Sequence, residues 1–230
     1  MSTPRGGRPR RSSVAAGFRL LAALGAGTLA ATLAPSAAMA QSSGTTEFAA
    51  GSAPLLADPQ GTPLGTVTPG TPLTVIKQTG RLAEVRIDGW SMAGAETVVF
   101  AAKGLRIVLA ELSADRPANR TVGARSEDQY GGVWEQVTVT GWVSASDLVA
   151  AVEPVWQKAH VLFAQRCTKC HALHQPTEFT ANQWPHILQI MTKRAVLTAD
   201  QTALVTKYLQ IHARQPGTPA TGPKGPGPRR

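Results

Sequence analysis

The chain has 230 residues and a formal net charge of +9, a length that allows one or two modest domains. Its basicity lies at the ends. Residues 1–40 hold five arginines and no acid, and residues 214–230 hold Arg214, Lys224, Arg229 and Arg230 and no acid. The body between them is neutral, so a basic nucleic-acid face is not indicated.

The start reads as an export signal. Arg5, Arg8, Arg10, Arg11 and Arg19 precede an apolar run from Leu20 to Leu33, then Pro35 and the small-residue pattern Ala38-Met39-Ala40, the order expected of a cleaved leader over residues 1–40. Arg10-Arg11 matches the twin-arginine route only weakly. A retained anchor is the rival, but an apolar run of about 14 residues falls short of the ~20 that span a bilayer. No later stretch is long and apolar enough to cross a membrane, so the expected location is the periplasm.

Residues 41–52 are small and polar and read as a linker. From 53 to 150 the pattern predicts short strands separated by turns. Pro54-Leu55-Leu56 is followed by Asp58-Pro59-Gln60-Gly61, Leu64 to Val67 by Pro69-Gly70, and Leu73 to Ile76 by Thr79-Gly80. Leu82 to Ile87 alternates apolar with polar, and Thr97–Phe100 and Leu105–Leu109 read as a hairpin around Lys103-Gly104. Residues 113–132 are polar and aperiodic and read as a long loop. Val85-Arg86-Ile87-Asp88-Gly89-Trp90 is echoed by Val137-Thr138-Val139-Thr140-Gly141-Trp142. A glycine within a strand pattern marks a bulge or a close backbone approach, with each Trp starting the next strand. The run from Trp134 to Leu148 resembles the closing strands of bacterial Src-homology-type small β-barrels, many of which bind peptides or cell-wall fragments. Trp90, Trp134 and Trp142 are accordingly core or rim residues of a barrel. The segment contains no histidine and no catalytic cluster.

Glu153-Pro154 opens a helix whose apolar face is Val155, Trp156, Ala159, Leu162 and Phe163; proline suits its first turn. His160 is a surface or packing residue. The helix delivers Cys167-Thr168-Lys169-Cys170-His171, which holds both cysteines of the chain. C-x-x-C-H is the pattern of covalent c-type haem attachment: two thiols one helical turn apart reach the two vinyl groups, and the next residue offers an imidazole as the proximal axial ligand. A disulfide would leave His171 without a role. A zinc site would need Cys167, Cys170, His171 and His174 to close a tetrahedron within eight residues. A redox dithiol would need a βαβ pattern that is absent. A loop carbonyl is expected to orient the second nitrogen of His171. Two capping boxes follow, Thr180-Ala181-Asn182-Gln183 and Thr198-Ala199-Asp200-Gln201. The first predicts a helix to about Arg194 with Trp184, Ile187, Leu188 and Met191 on one stripe. The second predicts a helix to Ala213 with Leu204, Val205, Tyr208, Leu209 and Ile211 as its apolar set. Residues 153–213 would thus form a small all-α unit with one covalent haem c at its centre. His186 and Met191 point about 140° apart on one helix, so only one can face the iron. Met191 is the favoured distal ligand, with His186 and His212 as alternatives; His174 is too close to cross the ring. The Pro/Gly-rich residues 214–230 are expected to be disordered.

With Gly89-Trp90, Gly94-Ala95, Arg106-Ile107, Trp134, the C-x-x-C-H-Ala172-Leu173 run, Gln175-Pro176, Ala181 to Trp184, Met191 and Lys207-Tyr208-Leu209-Gln210 in view, the chain resembles the C-terminal portion of the pentahaem c-type cytochrome of the bacterial trimethylamine N-oxide respiratory system. The likeness covers most of residues 53–213. It implies an α+β architecture of a small all-β barrel followed by an all-α, class-I-like cytochrome c domain. It also implies electron transfer with a periplasmic molybdopterin N-oxide or S-oxide reductase or another redox protein. This chain has one haem motif rather than five, so the resemblance implies a separate upstream donor and leaves the direction of flow open. Arg166 and Lys169 could meet an acidic partner. The other readings are a haem-dependent sensor and, with no distal acid/base pair apparent, an enzyme such as a peroxidase.

Overall fold

The computed structural model describes residues 44–114, 117–169, 172–215 and 217. The expected leader, Cys170, His171 and nearly all of the C-terminal tail lie outside these. Among the described residues, ten strands precede three α-helices: β1 (Thr45–Ala49), β2 (Ala53–Leu56), β3 (Pro63–Val67), β4 (Pro72–Thr79), β5 (Leu82–Met92), β6 (Ala95–Ala102), β7 (Leu105–Leu112), β8 (Arg120–Glu127), β9 (Val133–Ser144), β10 (Leu148–Val149), α1 (Glu153–Cys167), α2 (Trp184–Ala195) and α3 (Ala199–Ile211).

The long strands β5 and β9 form the spine. They pair antiparallel without interruption from Leu82↔Ser144 to Met92↔Trp134. The two halves of the sequence echo are therefore neighbours, with Val85 opposite Gly141 and Gly89 opposite Val137. Hydrogen bonding runs β5-β6-β7-β3-β2-β9 and returns to β5, which closes a six-stranded barrel. β4, β1 and β10 extend from β5, and β8 flanks β9. Both echo glycines sit where backbone comes close. A Cβ at Gly89 would lie 2.6 Å from the Phe100 carbonyl oxygen, and one at Gly141 would lie 2.8 Å from that of Leu56.

Among the strands, three expectations change. Residues 45–49, expected within a linker, form β1, which pairs with both β4 and β10. The expected loop 113–132 contains β8; its residues are mostly exposed, so no apolar alternation marks it in the sequence. Trp90 and Trp142 do not open new strands but lie inside β5 and β9. Trp134 and Trp142 are buried core, as expected of barrel aromatics, and Trp90 is half-buried.

Apolar burial falls into two clusters. One fills the barrel with Leu55, Val67, Leu73, Val85, Ile87, Val139 and Val143 among others. The other joins α1, α2 and α3 through Val155, Ala159, Phe163, Trp184, Leu188, Val205 and Leu209, and it includes Cys167. Pro154 lies in the first turn of α1, where its missing N–H costs nothing. The second capping box forms in full: the Gln201 N–H donates to Thr198 Oγ1 and the Thr198 N–H to Gln201 Oε1. The first shapes a turn instead. The Thr180 N–H reaches Gln183 Oε1 at 2.9 Å, and the helix starts later, at Trp184. In α3, Ile211 is 44% exposed rather than packed, while Lys207 and Gln210 are buried. Arg214, expected in the disordered tail, is pinned by its N–H to the Phe179 carbonyl at 3.1 Å.

Candidate haem-attachment site

Cys167 ends α1 on the buried face of that helix, one turn beyond Phe163. It is buried, and that burial pushes the Cys167 thiol pKa up, as desolvation of a thiolate requires. Met191, on α2, lines the same hollow as Cys167, together with Ile190, Ala195, Arg166, Lys169 and Arg194. The hollow measures about 160 Å³; the motif's other two residues, Cys170 and His171, lie outside the described residues.

The donor chemistry here suits a covalently held haem. A buried thiol and a thioether from two helices share one space, and Arg166, Lys169 and Arg194, which also line it, are of opposite charge to haem propionates. The other histidines are placed elsewhere. His186 lines a separate cleft beside Lys207, so the angular separation along α2 does put His186 and Met191 on different sides. His212 packs on Tyr208, with ring centroids 4.4 Å apart, and edge-on against Trp156 at 6.1 Å. His160 is exposed and leans on Tyr208 at 6.0 Å. His174 Nδ1 lies 2.7 Å from Glu178 Oε2 and its ring meets Phe179 edge-on. Among the described residues, no group of three His, Cys, Asp or Glu side chains gathers to hold a metal ion, and no helix is long and apolar enough to cross a membrane.

Trp184 fixes the start of α2. It is fully buried, its Nε1 donates to the Pro176 carbonyl at 2.8 Å, and Phe179 packs edge-on at 4.9 Å. Because Met191 lies two turns along the same helix, this anchor sets where its sulfur falls. The sequence gives no sign of two buried polar residues, Lys207 and Gln210, since helical periodicity registers only apolar positions. The run Lys207 to Gln210 was nonetheless part of the family likeness.

Comparison with known proteins places the chain among c-type cytochromes. Residues 25–148 match the family model of the TorC third cytochrome c domain, a region that ends before Cys167. Residues 163–226, which contain the C-x-x-C-H motif, match a dihaem cytochrome c model; the chain's two cysteines both lie in that motif. The cytochrome c-type protein TorY of Escherichia coli O157:H7 is 34% identical over 66% of this chain and 41% of its own length. TorC of Escherichia coli K12 is 27% identical over 70% of this chain and 42% of its own length, and TorY of Haemophilus influenzae is 29% identical over 56% and 35%. The chain thus spans about two fifths of the length of the first of these curated relatives. No solved structure matches it. The chain belongs to the TorC third cytochrome c domain family.

Proposed function

We propose that this protein is a periplasmic c-type cytochrome that passes single electrons to or from a partner oxidoreductase. Thioethers to Cys167 and Cys170 would hold one haem c, with His171 as proximal and Met191 as distal axial ligand, and residues 153–213 would form its class-I-like domain. Haem supplies a reversible one-electron couple. The chain's own part is to fix the tethers at the end of α1, hold the Met191 sulfur through α2, and exclude water with the cluster around Phe163 and Leu188. The observation that carries this reading is the sharing of one hollow by Cys167 and Met191. The likeness to the trimethylamine N-oxide system supports a molybdopterin N-oxide or S-oxide reductase as partner, served by a separate donor.

A thioether paired with imidazole raises the reduction potential relative to two imidazoles. Purified oxidised protein is therefore expected to be low-spin and to show the weak sulfur-to-iron charge-transfer band at the red end of the visible spectrum. Met191→Ala should abolish that band and lower the potential. A wild type lacking the band, with a spectrum indifferent to Met191→Ala, would remove Met191 from the iron. A high-spin wild type that binds CO would favour the sensor reading.

A further inference from the structure

The edge of β7 is covered in an unusual way. β3 pairs only with Ala110 to Leu112, and the Thr68 N–H extends this by one bond to the Leu109 carbonyl at 2.9 Å. Towards the start of β7, side chains from the helical part take over. Asn182 Oδ1 accepts from the Arg106 N–H at 2.8 Å, and Asn182 Nδ2 donates to the Gly104 carbonyl at 2.8 Å. Gln210 Nε2 donates to the carbonyls of Arg106 and Ala181, each at 3.0 Å. Lys207 Nζ donates to the Val108 carbonyl, to Thr68 Oγ1 at 2.7 Å and to Thr71 Oγ1 at 3.3 Å. Three side chains thus satisfy backbone groups that a neighbouring strand would otherwise take.

Lys207 differs from the other two because it carries charge. It is 3% exposed, and among the described residues no carboxylate forms an ion pair with it. The cleft of about 660 Å³ that it lines brings Arg106 and Glu111 from β7 and His186 from α2. β6 contributes Phe100, α3 adds Thr202, Thr206 and Gln210, and the β3–β4 turn adds the Thr68 hydroxyl. Hydroxyls and a carbonyl solvate an ammonium less well than water does.

We propose that Asn182, Lys207 and Gln210 act as a side-chain strand docking the helical part onto the open edge of β7, and that the Lys207 proton sets how firmly it holds. Burial lowers the Lys207 pKa from 10.5 to about 7. Folded below unfolded means that the opened seam binds more protons, so docking strengthens as pH rises above 7. At and below that pH the gain is absent. The Val108 carbonyl also accepts from Thr68 Oγ1 at 2.6 Å, so replacing the lysine by methionine strands no acceptor there.

Amide hydrogen exchange of the Arg106 N–H in the full-length holoprotein tests this, with rates corrected for the intrinsic pH effect. Protection in the wild type should rise about 25-fold between about pH 6.5 and 8.5. Lys207→Met should flatten that rise, His186→Gln should keep it, and Asn182→Ala should cut protection about tenfold at both pH values. An unchanged haem spectrum in each variant shows that the attachment site is intact. A flat wild-type profile, a rise that survives Lys207→Met or vanishes in His186→Gln, or full protection in Asn182→Ala would overturn the proposal. Should Lys207→Met not accumulate, the wild type, His186→Gln and Asn182→Ala decide it alone.

Discussion

Val196 is the one non-glycine residue among those described with a positive φ, at 51°. It ends α2 in the left-handed conformation that a β-branched side chain tolerates poorly. Its side chain is 74% exposed, so packing does not offset the strain. Val196→Gly is expected to raise stability by about 1 kcal/mol, seen as a melting temperature higher by about 2–4 °C; a lower value would show that the turn prefers valine. Gly70 is the opposite case. Its φ is +67°, and a Cβ there would run into the Trp156 ring of α1. Gly70→Ala should therefore destabilise, and Trp156→Leu in the same chain should recover part of the loss, a coupling that a double-mutant cycle reads directly.

Among the elements, α2 depends most on one residue. Trp184 combines full burial with a hydrogen bond to the Pro176 carbonyl and an edge contact to Phe179. Trp184→Phe keeps most of the apolar contact and strands that carbonyl, for an expected loss of about 1–3 kcal/mol in urea unfolding. Trp184→Ala should cost about 3–5 kcal/mol. A Trp184→Phe variant as stable as the wild type would show that the hydrogen bond carries no weight, and equal losses in the two variants would show that the apolar contact carries none. α3 is legible in sequence because its apolar set and its capping box at Thr198 agree. So are β5 and β9, whose alternation matches one buried face. β8 is not, because a strand exposed on both faces has no apolar period to show. β1 lies among small and polar residues, and its place is fixed by partners 28 and 101 residues away along the chain, Thr74 and Val149 pairing with Thr46 and Phe48. The box at Thr180 resembles the one at Thr198, yet it makes a turn. Its Asn182 is committed to the β7 edge, a tertiary demand that local pattern does not carry. At the candidate site, Cys167 and the stripe bearing Met191 follow from spacing, whereas their meeting in one hollow needs the packing of α1 against α2.

At the scale of the whole molecule, charge placement matters more than net charge. Outside residues 1–40 and 214–230 the acids and bases cancel, so the net field of the body is weak. Among the described residues, the hollow shared by Cys167 and Met191 is nevertheless lined by Arg166, Lys169 and Arg194 and by no acid. If electrons enter and leave the haem through this mouth, a local cationic field steers encounter there while the rest of the surface contributes little. A small anionic one-electron oxidant should then react with the reduced holoprotein several-fold faster than a cationic oxidant of matched driving force at about 10 mM salt, where the Debye length is about 30 Å. At about 1 M salt the screening length falls to about 3 Å, and the two rates should converge. Arg194→Glu should narrow or reverse the low-salt preference without moving the haem spectrum, since Arg194 lines the hollow but is exposed. Stopped-flow rates with the two reagents give the comparison. Rates insensitive to salt and to Arg194→Glu would place the route of electron exchange on another face.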